Sequence, residues 1–542
     1  MNSPNSSLRN VVKGLSALLA LLAAVAYPPA VYADPPALPD QLSFANSDDI
    51  TTLNPALSAE TTVGLLSQLT MAYLVRYDRK NRPIPELALV VPSQRNGGIS
   101  ADGKTITWRL RTDAKWSDGV AFDSTDVAFS VAVMQNRANN VASRDGFDQI
   151  ERVETPDQAT AIFHLRKSYA AFLPRFFGSP PGNPSLLPKH ILGSLPDINK
   201  ADYNALPVGI GPFRYVSWKR SEAIEMEANP NYFRGLPKLK KITYKIIQDG
   251  NTALTQLQAR EVNLLVNVKP SDIGRADAIR TAVVTHRPSY RFIHLDFNMT
   301  RPLLQDRAVR EALRLATDRT TIVDKTNHGI GVVQESFVPP QYAKYEALPL
   351  VKFDIVKANA VLDKAGWKRG SDGVRAKDGQ RLSLNFDTVT GAYPQYVELI
   401  RDSWARVGAE INTKTYDPKL FYEQPAGILF GGKFDVTIFS IQNFPFVYPS
   451  LIYSCDRIPP NGLNALRYCN KRLDAVISEY ESTYDPGRQQ RDLNEIARTV
   501  ADDVPTVVLN YTESIFAVDK RVQNFSPNVV TFFDDMMKVD VR

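Results

Sequence analysis

Ile99–Met134 reads ISADGKTITWRLRTDAKWSDGVAFDSTDVAFSVAVM. Asp102-Gly103 is a tight-turn dipeptide, and after it Ile106, Trp108 and Leu110 alternate with Thr105, Thr107 and Arg109, as a strand with one buried face requires. This reads as the far arm of a hairpin. A second turn at Asp118-Gly119 leads to Phe122, after which Asp123 can accept hydrogen bonds from the first turn of a helix, with Asp126 at its positive end. Val127, Val131 and Met134 then share one helical face.

The order of these words is more specific than any one of them. An Asp-Gly-Lys-Thr turn, a short strand ending Leu-Arg, then Lys115-Trp116-Ser117-Asp118-Gly119 and Phe122 to Ser130, resembles the signature of the family 5 extracellular solute-binding proteins. These include the dipeptide- and oligopeptide-binding components of ABC importers. Where that family commonly has His after the Trp, this chain has Ser117. The resemblance implies an α/β, periplasmic binding protein-like fold, with two α/β lobes around a ligand cleft and an extra subdomain in the first lobe.

Length and charge are compatible with this. A chain of 542 residues should form about three domain-sized units. The formal charge is +6, and removal of Arg9 and Lys13 with the leader described below would leave +4. No dense Lys/Arg patch with interleaved aromatics occurs, so nucleic acid is not an expected partner. Arg9 and Lys13 precede an apolar run, Leu15 to Ala26, too short to span a bilayer comfortably, and Val31-Tyr32-Ala33 offers a cleavage point. The expectation is a signal peptide at 1–33, and a periplasmic protein without a lipid anchor, since no cysteine follows the apolar run. Cys455 and Cys469 are the two cysteines. In an oxidising compartment a disulfide between them is favoured over two free thiols, and would be worth roughly 3 kcal/mol for a loop of about 15 residues.

Further along, Leu42 to Ala45 reads as a strand ending at Asn46-Ser47-Asp48-Asp49. Leu65, Leu66, Leu69, Ala72 and Tyr73 have helical spacing. Gly209-Ile210-Gly211-Pro212 is expected to use glycine for backbone angles closed to other residues. Asp306 to Arg319 reads as an amphipathic helix with Val309, Leu313 and Ala316 inward and its arginines solvated. Helix-then-strand units over 358–415 imply a parallel-rich sheet. With the resemblance as guide, the expected organisation is 34–65 first lobe, 66–206 its subdomain, 207–285 first lobe again, 286–504 second lobe, and 505–542 returning to the first.

The same resemblance places ligand contacts at the end of the first strand, Ser47 and Asp49, although turn capping explains these two equally well. It also places them after Phe434-Asp435-Val436, where peptide-binding relatives carry an Asp that pairs with the peptide amino group. No Asp or Glu occurs here between Asp435 and Asp456, and the expected carboxylate position falls on or beside Phe444. Burying a cationic amine without a carboxylate is expensive. Ser440, Gln442 and Asn443 offer neutral hydrogen bonding, while Phe439, Phe444, Phe446 and Tyr448 offer stacking faces. Tyr393, Trp404 and Tyr511 are weaker candidates. A sugar, a modified peptide or another amphipathic solute suits these groups as well as a peptide, and Asn443→Ala or Phe444→Ala is expected to weaken capture with stability within about 1 kcal/mol.

Hydrolase signatures are absent: no Gly-x-Ser-x-Gly elbow, no phosphate-binding Lys loop and no His-Glu-x-x-His, and the five histidines are scattered. No cofactor or metal is expected. The function implied is a monomeric substrate-binding protein, not an enzyme, that delivers a peptide or peptide-like solute to the permease and ATPase subunits of an ABC importer. The alternatives are the same role for an oligosaccharide or other non-peptide solute, then a secreted hydrolase, and a sensor or chaperone-like binder.

Overall fold

The computed structural model describes residues 39–542 apart from 79, 81, 180–182, 343–344, 444, 529–530 and 534–535. The expected signal peptide, Pro180, Pro181 and Phe444 therefore lie outside the described residues. Among the described residues, no helix is long and apolar enough to cross a membrane.

In 99–134 the Asp123 carboxylate accepts from Thr125 N at 2.7 Å, and Asp126 Oδ2 accepts from Asp123 N at 3.2 Å, closing a capping box on the helix Ser124–Gln135. Asp126 does more than face the helix dipole. It is buried, with its pKa raised by that burial, and also accepts from Trp116 Nε1 at 3.1 Å and Lys189 N at 2.9 Å. One carboxylate thus ties the second turn, the helix and a segment 63 residues later. The strand Thr105–Arg109 buries Ile106 and Trp108 completely and pairs antiparallel with Thr160–Leu165. Trp108, Phe163 and Phe172 form an edge-to-face cluster that Trp116, Phe122 and the helix face of Val127, Val131 and Met134 extend into one core.

The helix expected through Leu65 to Tyr73 runs Thr61–Thr70 and stops before Ala72, where Gly211 N takes the Thr70 carbonyl at 2.9 Å and Tyr73 N turns to Glu86 Oε2 at 2.9 Å. Here the expectation about glycine needs correcting. Neither Gly209 nor Gly211 has a positive φ; instead a Cβ on Gly209 would stand 2.0 Å from Thr70 O, and one on Gly211 2.4 Å from Thr70 C. The glycines permit close approach of two backbones.

Among the described residues the main sheet has ten strands, in the order Glu410–Tyr416, Ser383–Val389, Val436–Gln442, Ala282–Phe297, Thr506–Asp519, Leu264–Val266, Gln41–Asn46, Lys241–Ile246, Ala223–Ala228, Phe213–Lys219. The sheet is mixed. Parallel pairs occur where helices connect strands, as at 383–416, whereas the 16-residue Ala282–Phe297 and 14-residue Thr506–Asp519 carry the chain through the middle antiparallel to each other. Separate apolar cores pack on the two wings, one around Leu295, Trp404 and Leu384, the other around Phe44, Leu66 and Ile242.

The expected long helix at 306–319 is interrupted: Arg307–Leu315 ends before Arg319–Asn327 begins. Arg307 is solvated, but the other three arginines are not. Arg310, Arg314 and Arg319 are 5%, 8% and 3% exposed. Arg310 donates to Leu304 O at 2.7 Å, Asp503 O at 2.6 Å and Val504 O at 3.1 Å, and Arg314 to Ala501 O at 2.8 Å. The free carbonyls at the end of the helix Pro486–Asp503 are thereby satisfied by cations, which also complement its negative end. Arg319 pairs with Glu335 at 2.8 Å.

Candidate functional site

The two long central strands shift register twice, between Pro288 and Phe292 and again between Ile293 and His294. At the first, Pro288 pairs with Glu513 and then Phe292 with Tyr511, so Ser289, Tyr290 and Arg291 leave the ladder with Thr506–Asp519, while Arg291 stays paired with Gln442 on the other side. Pro288 has no N–H to donate, which suits it to the last position before the break. The bulge faces a cavity of about 1110 Å³, above the ~300–1000 Å³ usual for small-molecule pockets.

Both wings of the sheet wall this cavity. Thr61 and Leu65 come from the first helix, Asn267 to Pro270 from the chain after Leu264–Val266, and Thr512 to Ile515 from the return strand. Opposite lie Asn327, Ile330, Ile441, Gln442 and Asn443, and the loop residues Arg457, Asn461, Gly462 and Leu463. The segment Arg137 to Asp148, next to the Trp108 core, supplies a third side.

The loop is stapled. Cys455 and Cys469 are joined, with Cα atoms 4.6 Å apart and a sequence separation of 14. Inside it, Asn464 Nδ2 donates to Ser454 O at 2.9 Å and Tyr468 O at 2.8 Å. Arg457 reaches across to Asp145 at 3.7 Å, and Asp145 also pairs with the buried Arg175 at 3.0 Å. This carboxylate therefore links the stapled loop to the opposite wall.

The residues expected from sequence fall in different places. Gln442 and Asn443 line the cavity. The Asn443 amide is already engaged, donating to Phe337 O at 2.8 Å and Tyr511 Oη at 3.1 Å, and the residue is buried. Ser440 does not line the wall itself but accepts from Arg291 Nη1 at 3.5 Å. Ser47 and Asp49 are not on the wall. Ser47 bonds to its neighbour Asp48, which is, and Asp49 accepts from Ser221 and Ile50, bonds that hold its carboxyl below the usual range. Phe439 packs on His294 with ring centroids 4.3 Å apart, inside the second wing. Tyr448 is buried under Arg175, whose guanidinium lies 4.0 Å from the ring centroid, and its hydroxyl donates to Ala171 O at 3.0 Å. Phe446 stacks on Tyr480, Trp404 is bonded to Leu313 O and Thr317 in the core, and Tyr511 is buried. Among the described residues the rings on the wall are Tyr290 and Phe532, so the expected stacking platform is not assembled from the others.

Sequence reasoning passed over Arg291, Arg137, Arg144 and Lys269. Arg291 carried a readable signal, a single cation inside the apolar strand Tyr290 to Phe297. Arg144 has its pKa lowered by burial and by the like charge of Arg137 close by. His294, bonded to Asp296 at 2.7 Å with Thr506 also on that carboxylate, is fully buried and does not reach the cavity.

The profile of the bacterial extracellular solute-binding proteins, family 5 (middle region), matches residues 82–457. The chain is 27% identical over 469 residues to the oligopeptide-binding protein AppA of Bacillus subtilis, covering 85% of this chain and 84% of that one. Among solved structures it resembles B. subtilis AppA in complex with a nonapeptide, at TM-score 0.79, 24% identity and 93% and 99% coverage. It also resembles NikZ from Campylobacter jejuni in complex with Ni(L-His), at TM-score 0.77, 23% identity and 92% and 99% coverage. Together with a cavity walled by both wings of one sheet, the match shows that the chain belongs to the bacterial extracellular solute-binding proteins of family 5.

Proposed function

We propose that this chain is the exported, periplasmic solute-capturing subunit of an ABC importer, holding a peptide or peptide-like solute in the 1110 Å³ cavity and delivering it to a membrane permease driven by ATPase subunits. The observation that carries this reading is a cavity walled from both wings of the sheet, in a chain whose relatives include an oligopeptide-binding protein. A solute touching both walls stabilises the closed arrangement through contacts that the open one lacks, and the permease can sense that difference. Micromolar affinity, about 8 kcal/mol, suffices for capture. The lobes are proposed at 34–65, 207–285 and 505–542 for the first and 286–504 for the second, with 66–206 as subdomain. The protein acts as a monomer and binds without turnover.

A second reading, the same role for a non-peptide solute, is favoured by the lack of Asp or Glu between Asp435 and Asp456 and by the Ni(L-His) ligand of NikZ. Calorimetric titration with di- to nonapeptides and with oligosaccharides, followed by mass analysis of the mixture, tests both. Saturable one-to-one binding with the ligand recovered intact supports capture. Cleaved products would establish a hydrolase instead.

A further inference from the structure

The charges on the cavity wall do not cancel. Of its carboxylates, Asp145 is taken by Arg175 and Arg457, and Glu513 lies 3.3 Å from His286. Asp48 accepts from the neutral groups of Asn46, Ser47 and Thr62, and Asp148 from Gln149. Facing them, Arg291 has no carboxylate within ion-pairing distance among the described residues. Its guanidinium makes two long bonds, Nη1 to Ser440 Oγ and Nη2 to Thr61 Oγ1, each 3.5 Å. Those hydroxyls come from opposite wings, so the cation sits across the gap. Its backbone is fixed, with the amide donating to Ser289 Oγ at 2.9 Å and the carbonyl accepting from Thr512 Oγ1 at 3.2 Å. Arg137 and Arg144 add two guanidinium groups to the same wall.

A half-buried guanidinium without a counter-ion is a poor use of five donors unless something else completes it. We propose that the captured solute is an anion, and that its carboxylate or phosphate is received by Arg291, with the Ser440 and Thr61 hydroxyls as further donors. This rests on the solute-capture reading. It goes beyond it by assigning the anchor to a cation in the crossing strand, where a free amine would be repelled. A compact anion on Arg291 replaces two long bonds to neutral hydroxyls by two bonds to an opposite charge and touches both wings at once, so it favours closure as well as binding.

The test uses the full exported chain and the small-molecule fraction of its host's culture medium, separated by ion exchange into anionic, neutral and cationic pools. Native mass spectrometry and thermal shift are recorded with each pool. The anionic pool is expected to give a one-to-one adduct. Methyl esterification of the released molecule reports a carboxylate, and molybdate assay after digestion a phosphate. Arg291→Gln should need about ten- to hundredfold more pool for the same occupancy, and Arg291→Lys less than that. Thr61→Val, a milder change for which folding is not in question, should weaken capture a few-fold, and Arg307→Gln, which removes an exposed cation away from the cavity wall, should leave it unchanged. Circular dichroism checks that each variant is folded. The proposal is overturned if only neutral or cationic pools bind, if Arg291→Gln and Thr61→Val bind the anionic pool like wild type, or if Arg307→Gln weakens binding as much as Arg291→Gln does. Binding of no pool by the wild type would instead overturn solute capture itself.

Discussion

Removing the staple at the cavity wall separates two ways in which it could act. In the double variant Cys455→Ser/Cys469→Ser the folded loop keeps its internal bonds from Asn464 to Ser454 O and Tyr468 O, and the ion pair from Arg457 to Asp145. Most of the loss then falls on the unfolded chain, which regains the freedom of a loop closed over a separation of 14 residues, about 3 kcal/mol. At about 2.1 cal/mol/K per residue, unfolding 542 residues carries roughly 1.1 kcal/mol/K, so the melting temperature should fall by only about 3 °C. Differential scanning calorimetry of the variant, and of wild type held in dithiothreitol, measures this, and limited proteolysis with mapping of the 455–469 segment reports whether the loop stays folded. A fall above about 10 °C, or rapid cleavage inside that segment, would refute the reasoning and make the disulfide a direct support of the native loop.

Other outcomes follow from single contacts. Arg310→Met strips the Leu304, Asp503 and Val504 carbonyls of their donor and should cost about 3–5 kcal/mol in urea unfolding, against under about 1 kcal/mol for the exposed Arg307→Met. Asn443→Ala removes two buried hydrogen bonds and should cost about 2 kcal/mol, more than the sequence led one to expect, while Gln442→Ala, exposed on the same wall, should cost under about 0.5 kcal/mol. Glu481 has its carboxyl pKa raised by burial to about 7. The folded chain holds that proton more tightly than the unfolded one, so this stabilisation is complete below about pH 4.5 and is lost as pH rises to about 7. The change is at most about 3 kcal/mol, since the residue as a whole keeps some exposure, and Glu481→Gln should remove that part of the slope in pH-dependent unfolding.

Much of the fold was legible because its decisive contacts are local. Asp123 and the Val127, Val131, Met134 face can be read from spacing, and the structure places them as spacing requires. The buried arginines could not be read this way. Arg310 and Arg314 reach the carbonyls of Ala501, Asp503 and Val504, about 190 residues away, and a pattern of charge on one helix says nothing about another helix ending against it. The cavity was legible to the same degree. Gln442 and Asn443 follow directly from the strand Val436–Gln442, but Phe439 and Tyr448 are aromatic for the sake of His294 and Arg175 packing, which only the assembled wings reveal. Ser47 and Asp49 were one residue either side of the wall residue Asp48, a matter of which way a turn points.

The central claim is that two wings of one sheet close on a solute between them. Small-angle X-ray scattering of the chain, empty and then loaded with the pool component that native mass spectrometry shows bound one-to-one, tests it most directly. The account predicts a smaller radius of gyration on loading, and a difference that diminishes in Arg291→Gln at equal total solute. Superimposable curves at full occupancy would contradict it.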